Sequence, residues 1–460
     1  MTDTALLGKS VVRSEKFASD DRSLEAQIKS RGAAAVPQQQ NRDTLPTLTG
    51  LRGLAALMVL YYHGGLGPHQ DLEFPVLLFF VLSGFLMGYL YYDKPADASN
   101  LIRYSLARIG RVFPAYLFLV VVFEAIPTLW CTGYRCYSAK DIAGMLAFWK
   151  IPFSVMMVGH SGAVMYWTVP VEVQFYVVFA AAWWLSKSQA LGGYLKRAIF
   201  AAVSLAYAAA FVKLVYGAPE TTRPKWLPFA SLISALPLPT VLIDEKGICM
   251  GNDFCLPSYV PVFAVGSLLG ANWKSKIAPV CNKVPPLVIE VTAALSLILC
   301  VAPLRSLRAT YGLELKYPGT TTRAKSALTT YSMTFLDPAS WIVAIGAVVT
   351  CAHGARSLAI LRTDFFQFTG KVSYSMYLIN MWIFELVYKQ IDEENLVMKY
   401  TAASVAVAIV YAIASVSFLY FEAPTQAWVR SLHSSYTAVL ALVVGYAMTV
   451  AALYFAIKLL

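Results

Sequence analysis

Charged residues are scarce in this sequence of 460 residues. Only 14% of the residues are Asp, Glu, Lys or Arg, whereas 58% are hydrophobic and the mean hydropathy is +0.58. A soluble globular domain carries about 25% charged residues, so the composition excludes an ordinary soluble fold. Histidine is also rare, with five in the chain, and there is neither an N-x-S/T motif nor a signal-peptide core. Ionisable residues inside apolar stretches are therefore the first candidates for function.

Long apolar runs recur along nearly the whole chain. Each is long enough to cross about 30 Å of hydrocarbon as a helix, and barrel strands of about ten alternating residues do not fit them. The sequence therefore predicts an all-α membrane protein, a polytopic bundle of about 10–11 transmembrane helices. The sixth run is short and the ninth is long, so either can be tilted or broken. The eleven runs are 48–66, 74–92, 112–131, 163–186, 198–216, 258–273, 286–304, 336–354, 366–390, 400–420 and 436–458.

The chain divides into three predicted regions. Residues 1–45 mix charges of both signs without a sustained apolar run, which predicts a disordered tail, although residues 13–31 could form a short polar helix. Residues 46–435 form the main transmembrane domain, and 436–460 add one more helix.

Positive charge indicates how the bundle is oriented. With a cytosolic N-terminus, most short loops rich in Lys and Arg fall inside, as membrane proteins prefer. The basic loop 305–335 falls outside; it is long enough to translocate regardless of charge, and it could also be a surface for an anionic acceptor. The net charge of +11 then reflects topology, and no nucleic-acid partner is predicted.

Four of the seven cysteines form two close pairs in predicted outer loops. Cys131 and Cys136 lie in one loop, and Cys249 and Cys255 in another. An oxidising exterior would permit the disulfides Cys131–Cys136 and Cys249–Cys255, although spacing alone cannot establish connectivity. The sequence shows no convincing metal-ligand cluster, so no metal is predicted.

Arg52 and His63 lie eleven positions apart in the first apolar run. On a helix they share one face, about 16 Å apart along the axis. They predict either a functional face, with a cation near one membrane surface and an imidazole near the other, or a snorkelling arginine and an interfacial histidine.

Two arginines precede the third run in the segment RYSLARIGRVFPAY, which the pattern assigns to a cytosolic loop. Arg108 and Arg111 are three apart and would share a helix face, with Arg103 nearby. Guanidinium groups so arranged can bind phosphate; the alternative is that they only obey the positive-inside rule.

Glu172 lies inside the fourth run, with Tyr176 one turn further on. Such a carboxylate must be paired, protonated or facing water, and it either positions a catalytic group or locks the bundle. Other polar candidates occupy later or neighbouring spans: Ser83 in the second, Tyr377 and Asn380 on one face of the ninth, and Glu422 just before Pro424, where the tenth span is expected to stop.

Six segments occur in an order that resembles the acyltransferase-3 family of multi-span membrane acyltransferases. They are LRGLAALMVLYYH, FFVLSGF, RYSLARIGRVFPAY, YWTVPVEVQFY, TGKVSYSMYLIN and FEAP, and they cover residues 48–428. The resemblance implies transfer of acyl groups, most often acetyl from acetyl-CoA, to carbohydrates, lipids or other small acceptors. It places the family's first-span arginine and histidine at Arg52 and His63, its arginine pair at Arg108 and Arg111, and its glutamate at Glu172.

The chain departs from the family pattern at two positions. Asn380 stands where many relatives have histidine, and Pro170 stands in the glutamate motif, where it predicts a kink just before Glu172.

These observations predict a membrane-embedded O-acyltransferase. His63 would act as the base, supported by Glu172, while Arg52, Arg103, Arg108 and Arg111 would hold cytosolic acyl-CoA. Direct transfer and an acyl-histidine relay both remain open. A proton-coupled transporter and a catalytically inactive scaffold are the alternatives, because buried Arg, His and Glu serve those functions as well.

Overall fold

The fold is a bundle of helices built around two closely packed pairs. The structure, a computed structural model, describes residues 45–66, 73–128, 139–148, 166–187, 259–302, 338–390, 395–434 and 436–459. Predictions for the tail 1–44, the fifth run 198–216, the loop 305–335 and both cysteine pairs lie outside the described residues. Within the described ranges all regular structure is helical.

Most of the predicted runs that the structure describes begin and end within a few residues of a helix. We number the helices α1 to α12 along the chain: α1 Pro46–His63, α2 Phe74–Tyr91, α3 Ala98–Thr128, α4 Ala139–Leu146, α5 Thr168–Lys187, α6 Val260–Ala271, α7 Trp273–Cys281, α8 Pro286–Val301, α9 Pro338–His353, α10 Asp364–Tyr388, α11 Leu396–Ser431 and α12 Tyr436–Leu459. A 3₁₀ helix, Arg356–Arg362, joins α9 to α10.

Five of the described helices are long and apolar enough to cross a membrane, namely α2, α3, α5, α11 and Thr437–Lys458 of α12. Two bent pairs raise the number to seven if each pair is one span: α7 and α8 bend by 108°, and α9 and the 3₁₀ helix by 87°. With 12 residues, α6 is about 18 Å long, too short to span alone. Helices α1 and α10 are long but are not among the five. The protein is therefore a helical membrane protein; the count of 10–11 spans and the cytosolic N-terminus stay predictions.

Helix α3 begins earlier than the sequence predicted. It starts at Ala98, where the side chain of Asp97 caps it by accepting a hydrogen bond from the backbone N–H of Asn100 at 2.8 Å. The segment with Arg108 and Arg111 was predicted as a loop, and that prediction was wrong. Its charges lower local hydropathy, yet packing against other helices makes a helix favourable there.

Helix α11 does not stop before Pro424 as predicted. Its backbone widens into a π-helical turn, Phe418–Glu422, in which the N–H of Ala423 bonds to the carbonyl of Phe418. Pro424 lies just past this wide turn, in the first turn of the α-helical stretch that follows, and the helix runs on to Ser431. Pro170 lies in the first turn of α5, which begins at Thr168. A proline in the first turn of a helix removes no helical hydrogen bond, so the predicted kink before Glu172 is not required.

Glycines allow the backbones of α2 and α6 to come into direct contact. A Cβ added at Gly84 would lie 2.3 Å from the carbonyl oxygen of Phe263, and one at Gly270 would lie 2.0 Å from that of Phe85. Small residues allow such close packing of membrane helices. Gly88 and Gly266 are equally restricted.

Helices α1 and α10 form the second close pair, and they run parallel. A Cβ at Gly53 would lie 2.7 Å from the carbonyl oxygen of Phe366, and Gly370 is packed against Thr49 in the same way. Further along both helices His63 meets Asn380. This register places Asn380 of α10 against His63 of α1.

Candidate active site

Helix α1 is unbroken from Pro46 to His63. The eleven-residue spacing therefore does separate Arg52 and His63 by about 16 Å along the axis. Both side chains are half-buried. The site consequently has two ends, one around each residue, and α10 runs alongside both.

At one end His63 contacts Asn380. The Nδ1 atom of His63 lies 2.7 Å from Oδ1 of Asn380, a residue with no exposed surface. The amide nitrogen of Asn380 donates in turn to the backbone carbonyls of Met376 and Tyr377, at 3.2 and 2.5 Å. The imidazole therefore contacts a side chain whose orientation is fixed by hydrogen bonds within α10.

At the other end Arg52 lines a cavity of about 60 Å³, room for a few water molecules. Two further charged side chains line it, Arg111 from α3 and Glu172 from α5. Uncharged side chains complete the wall: Val76, Phe79, Phe80, Ser83, Thr168, Val169, Ser373, Tyr374 and Tyr377. The cavity thus joins residues from five of the six sequence segments.

Glu172 is held by two hydroxyl groups. Its Oε1 atom accepts a hydrogen bond from Ser83 on α2 at 3.0 Å, and a second, short one from Tyr176 one turn along α5. The hydroxyl of Tyr104 on α3 bonds to the backbone carbonyl of Tyr176 at 2.9 Å. These contacts bring the predicted supporting residues Ser83 and Tyr176 to Glu172, although their catalytic role remains a prediction.

Positive charge is concentrated around this cavity. The charges of Arg108 and Arg111 both interact with that of Arg52. The guanidinium of Arg108 lies over the ring of Tyr176, 5.6 Å from its centre, and its buried Nε has no hydrogen-bond partner among the described residues. A buried donor without a partner costs about 1–3 kcal/mol, which an anionic ligand would remove. Arg108 and the exposed Arg103 are not among the described residues that line the cavity.

Arg430 extends the basic cluster to the surface, which the sequence did not predict. The end of α11 packs on α3 at Gly110, where an added Cβ would lie 3.1 Å from Val429. Arg430 follows directly, is exposed, and interacts electrostatically with Arg108 and Arg111. Its only sequence signal was its position eight residues after the FEAP glutamate.

Tyr377 connects the two ends of the site. Its hydroxyl accepts a hydrogen bond from Thr168 at 2.9 Å and its side chain lines the cavity, while its backbone carbonyl holds the amide of Asn380. It lies one turn from Asn380 on α10, about 4.5 Å along the axis. The sequence paired Tyr377 with Asn380 on one face, and missed Thr168, which also lines the cavity.

Glu422 lies apart from the cavity lining, in the π-helical turn of α11. It is 2% exposed and accepts a hydrogen bond from Ser375 on α10, whose hydroxyl lies 3.0 Å from that of Ser417. Its contacts join α10 to α11.

The remaining candidate ligands form no cluster within the described ranges. No group of three or more His, Cys, Asp or Glu lies close enough there to hold a metal ion. Cys281, Cys300 and Cys351 are buried and free.

The geometry defines a class of protein: a helical membrane protein whose half-buried imidazole and arginine-lined cavity lie within one bundle. The comparison with protein families gives the particular family. A model described as an acyltransferase domain, Acyl_transf_3, matches residues 45–452, and the chain belongs to this acyltransferase-3 family. The match extends past the 48–428 covered by the motifs and into α12. No curated protein and no solved structure matches the chain. The protein is thus an integral, multi-pass membrane acyltransferase.

Proposed function

We propose that this protein transfers an acyl group, in particular acetyl, from acyl-CoA to a hydroxyl of a carbohydrate, a lipid or another small acceptor. The observation that carries the proposal is the pairing of α1 with α10. Together these helices place an arginine-lined cavity at one end and an imidazole held by Asn380 at the other. Family membership makes acyl transfer the expected chemistry.

Arg108 and Arg111 bind the phosphates of the donor in this proposal. Both are half-buried on one face of α3, and Arg108 has a spare buried donor. Arg430 and Arg103 are exposed, so they meet the phosphates first and draw the anion inward by long-range attraction. Among the described residues, Tyr176 and Glu172 offset the like charges of Arg108 and Arg111 around Arg52. Three arginines against one carboxylate favour an anion there.

His63 removes the proton from the acceptor hydroxyl. As the proton moves to the imidazole, the hydroxyl oxygen attacks the thioester carbonyl and forms a tetrahedral intermediate. The carbon–sulfur bond then breaks, and the imidazolium returns the proton to the departing thiolate, so CoA leaves as a thiol. In a relay, His63 would first take the acyl group itself and pass it to the acceptor; both routes use the same ring.

Arg52 helps to bind the donor at the cavity end and does not contact the reacting carbonyl. About 16 Å of helix separates it from His63, and its charge interacts with Arg111 and Glu172. Glu172 in turn accepts hydrogen bonds from Ser83, which lines the cavity, and from Tyr176. It therefore supports the site and does not act as its base.

Purified protein in lipid nanodiscs, supplied with radiolabelled acetyl-CoA and a panel of sugar, lipid and small hydroxyl acceptors, tests the proposal. We expect label on at least one acceptor and release of free CoA, both lost in His63→Ala. Proton-driven uptake into proteoliposomes without any labelled product would instead identify a transporter. Neither labelled product nor uptake from correctly folded protein would support an inactive scaffold.

A further inference from the structure

The hydrogen bonds of Asn380 assign the orientation of its amide. The amide nitrogen donates to two backbone carbonyls of its own helix, at Met376 and Tyr377. The amide orientation that satisfies both carbonyls places Oδ1, and not Nδ2, toward Nδ1 of His63 at 2.7 Å. Hydrogen-bond networks are the accepted means of assigning an amide orientation.

An amide oxygen can only accept a hydrogen bond, so the proton between these residues belongs to His63. In the neutral ring, one nitrogen carries the proton and the other carries the lone pair. Protonated Nδ1 therefore leaves Nε2 as the basic nitrogen. We infer that Asn380 is a positioning residue that holds His63 in the Nδ1–H tautomer, so that Nε2 receives the acceptor's proton. This inference rests on the proposed function for its chemical meaning.

The same contact suits both states of the ring during turnover. When Nε2 takes up a proton, Nδ1 still donates to Asn380, so the imidazole does not turn. His63 is also the last residue of α1, where the negative end of the helix dipole favours an imidazolium. Asn380 has no exposed surface, and its neutral amide adds no buried charge beside the ring. The pair therefore orients the base without the desolvation cost of a buried carboxylate.

Substitutions at Asn380 distinguish this arrangement from a purely structural one. Asn380→Asp keeps an acceptor oxygen and removes the donors, whereas Asn380→Ala removes both. We expect Asn380→Ala to lower kcat by about 10- to 100-fold, the usual loss for a group that orients a functional histidine, with little change in the KM for acyl-CoA. Asn380→Asp keeps the acceptor oxygen for His63 but turns a buried carboxylate oxygen toward the Met376 and Tyr377 carbonyls, so it should recover only part of that loss. If the amide were reversed and donated to His63, Asn380→Asp would be no better than Asn380→Ala.

Asn272→Ala is the matched control. Asn272 also donates its amide to the carbonyl four residues earlier, Leu268, at 2.8 Å, but it lies between α6 and α7. Its loss should leave kcat unchanged. An equal fall in kcat for both alanine variants, or a fall at Asn380 that appears only in KM, would overturn the inference.

A measurement that needs no turnover separates this inference from the proposed function. In protein labelled with ¹⁵N-histidine, solid-state NMR reports which ring nitrogen carries the proton, and the His63→Ala spectrum identifies the His63 signal. We expect a protonated Nδ1 in the parent protein and in Asn380→Asp, and a shift toward Nε2–H in Asn380→Ala. A His63 that is Nε2–H in the parent protein would refute the inference even if the protein transfers acyl groups. Conversely, the Nδ1–H form in a protein without transferase activity would refute the proposed function alone.

Discussion

Replacing Arg108 and Arg111 by glutamine should weaken donor binding specifically. Each arginine is half-buried on the same face of α3, and Arg108 has a buried Nε without a described partner. If each makes one charge-assisted bond to a phosphate, its loss costs about 1.5–3 kcal/mol. At about 1.4 kcal/mol per tenfold change, each substitution should raise the KM for acyl-CoA by about 10- to 100-fold.

In the double variant, the KM for acyl-CoA should rise by less than the product of the two single-variant increases. The two side chains are neighbours and serve one ligand, so their contributions are coupled. The upper limit is about 10⁴-fold in the donor KM, and we expect a value nearer to 10²-fold. We expect little change in stability, because the lost contact of Arg108 with the Tyr176 ring is offset by relief of the repulsion that both arginines exert on Arg52 and Arg430.

Steady-state kinetics in nanodiscs, with donor and acceptor varied in turn, measure the effect, and thermal unfolding without ligand measures stability. Arg356→Gln is the control, since Arg356 is exposed on the 3₁₀ helix outside the cluster. Arg103→Gln should raise the donor KM by less than about fivefold, as expected for an exposed charge. An unchanged donor KM in the properly inserted double variant, or an equal rise in the KM of the acceptor, would contradict phosphate binding by these arginines.

Three further substitutions test other parts of the argument. His63→Ala should abolish turnover while the protein stays folded in the membrane; substantial remaining activity would remove His63 from the chemistry. Glu172→Gln, which keeps one acceptor oxygen but removes the charge, should lower kcat strongly with near-normal acyl-CoA binding, and the opposite pattern would contradict a supporting role. Gly270→Ala should lower the unfolding temperature, because the new Cβ would lie 2.0 Å from the carbonyl oxygen of Phe85. Gly445→Ala is the control: nothing lies within 4 Å of the new Cβ, so this variant should be neutral or slightly stabilising. Equal unfolding temperatures for the two alanine variants would show that α2 and α6 can separate without cost.

The sequence alone determined the class of the protein and the position of most described helices. The free energy of transferring a side chain into hydrocarbon depends on that residue alone. Runs such as 74–92 can therefore be located without knowing which helices pack beside them. The same local logic failed for α3. Its arginines reduce the hydropathy of a segment that is nevertheless helical, because one face of it packs against α5 and the end of α11.

The composition of the site was decided by tertiary structure. His63 and Asn380 are 317 positions apart, and Arg430 reaches the cluster of Arg108 and Arg111 from the end of α11. Which faces of two helices meet depends on their rotation and register. These are set here by close backbone contacts, such as that of Gly53 with α10. Helical periodicity could place Tyr377 and Asn380 on one face, but only packing showed that this face lies against α1.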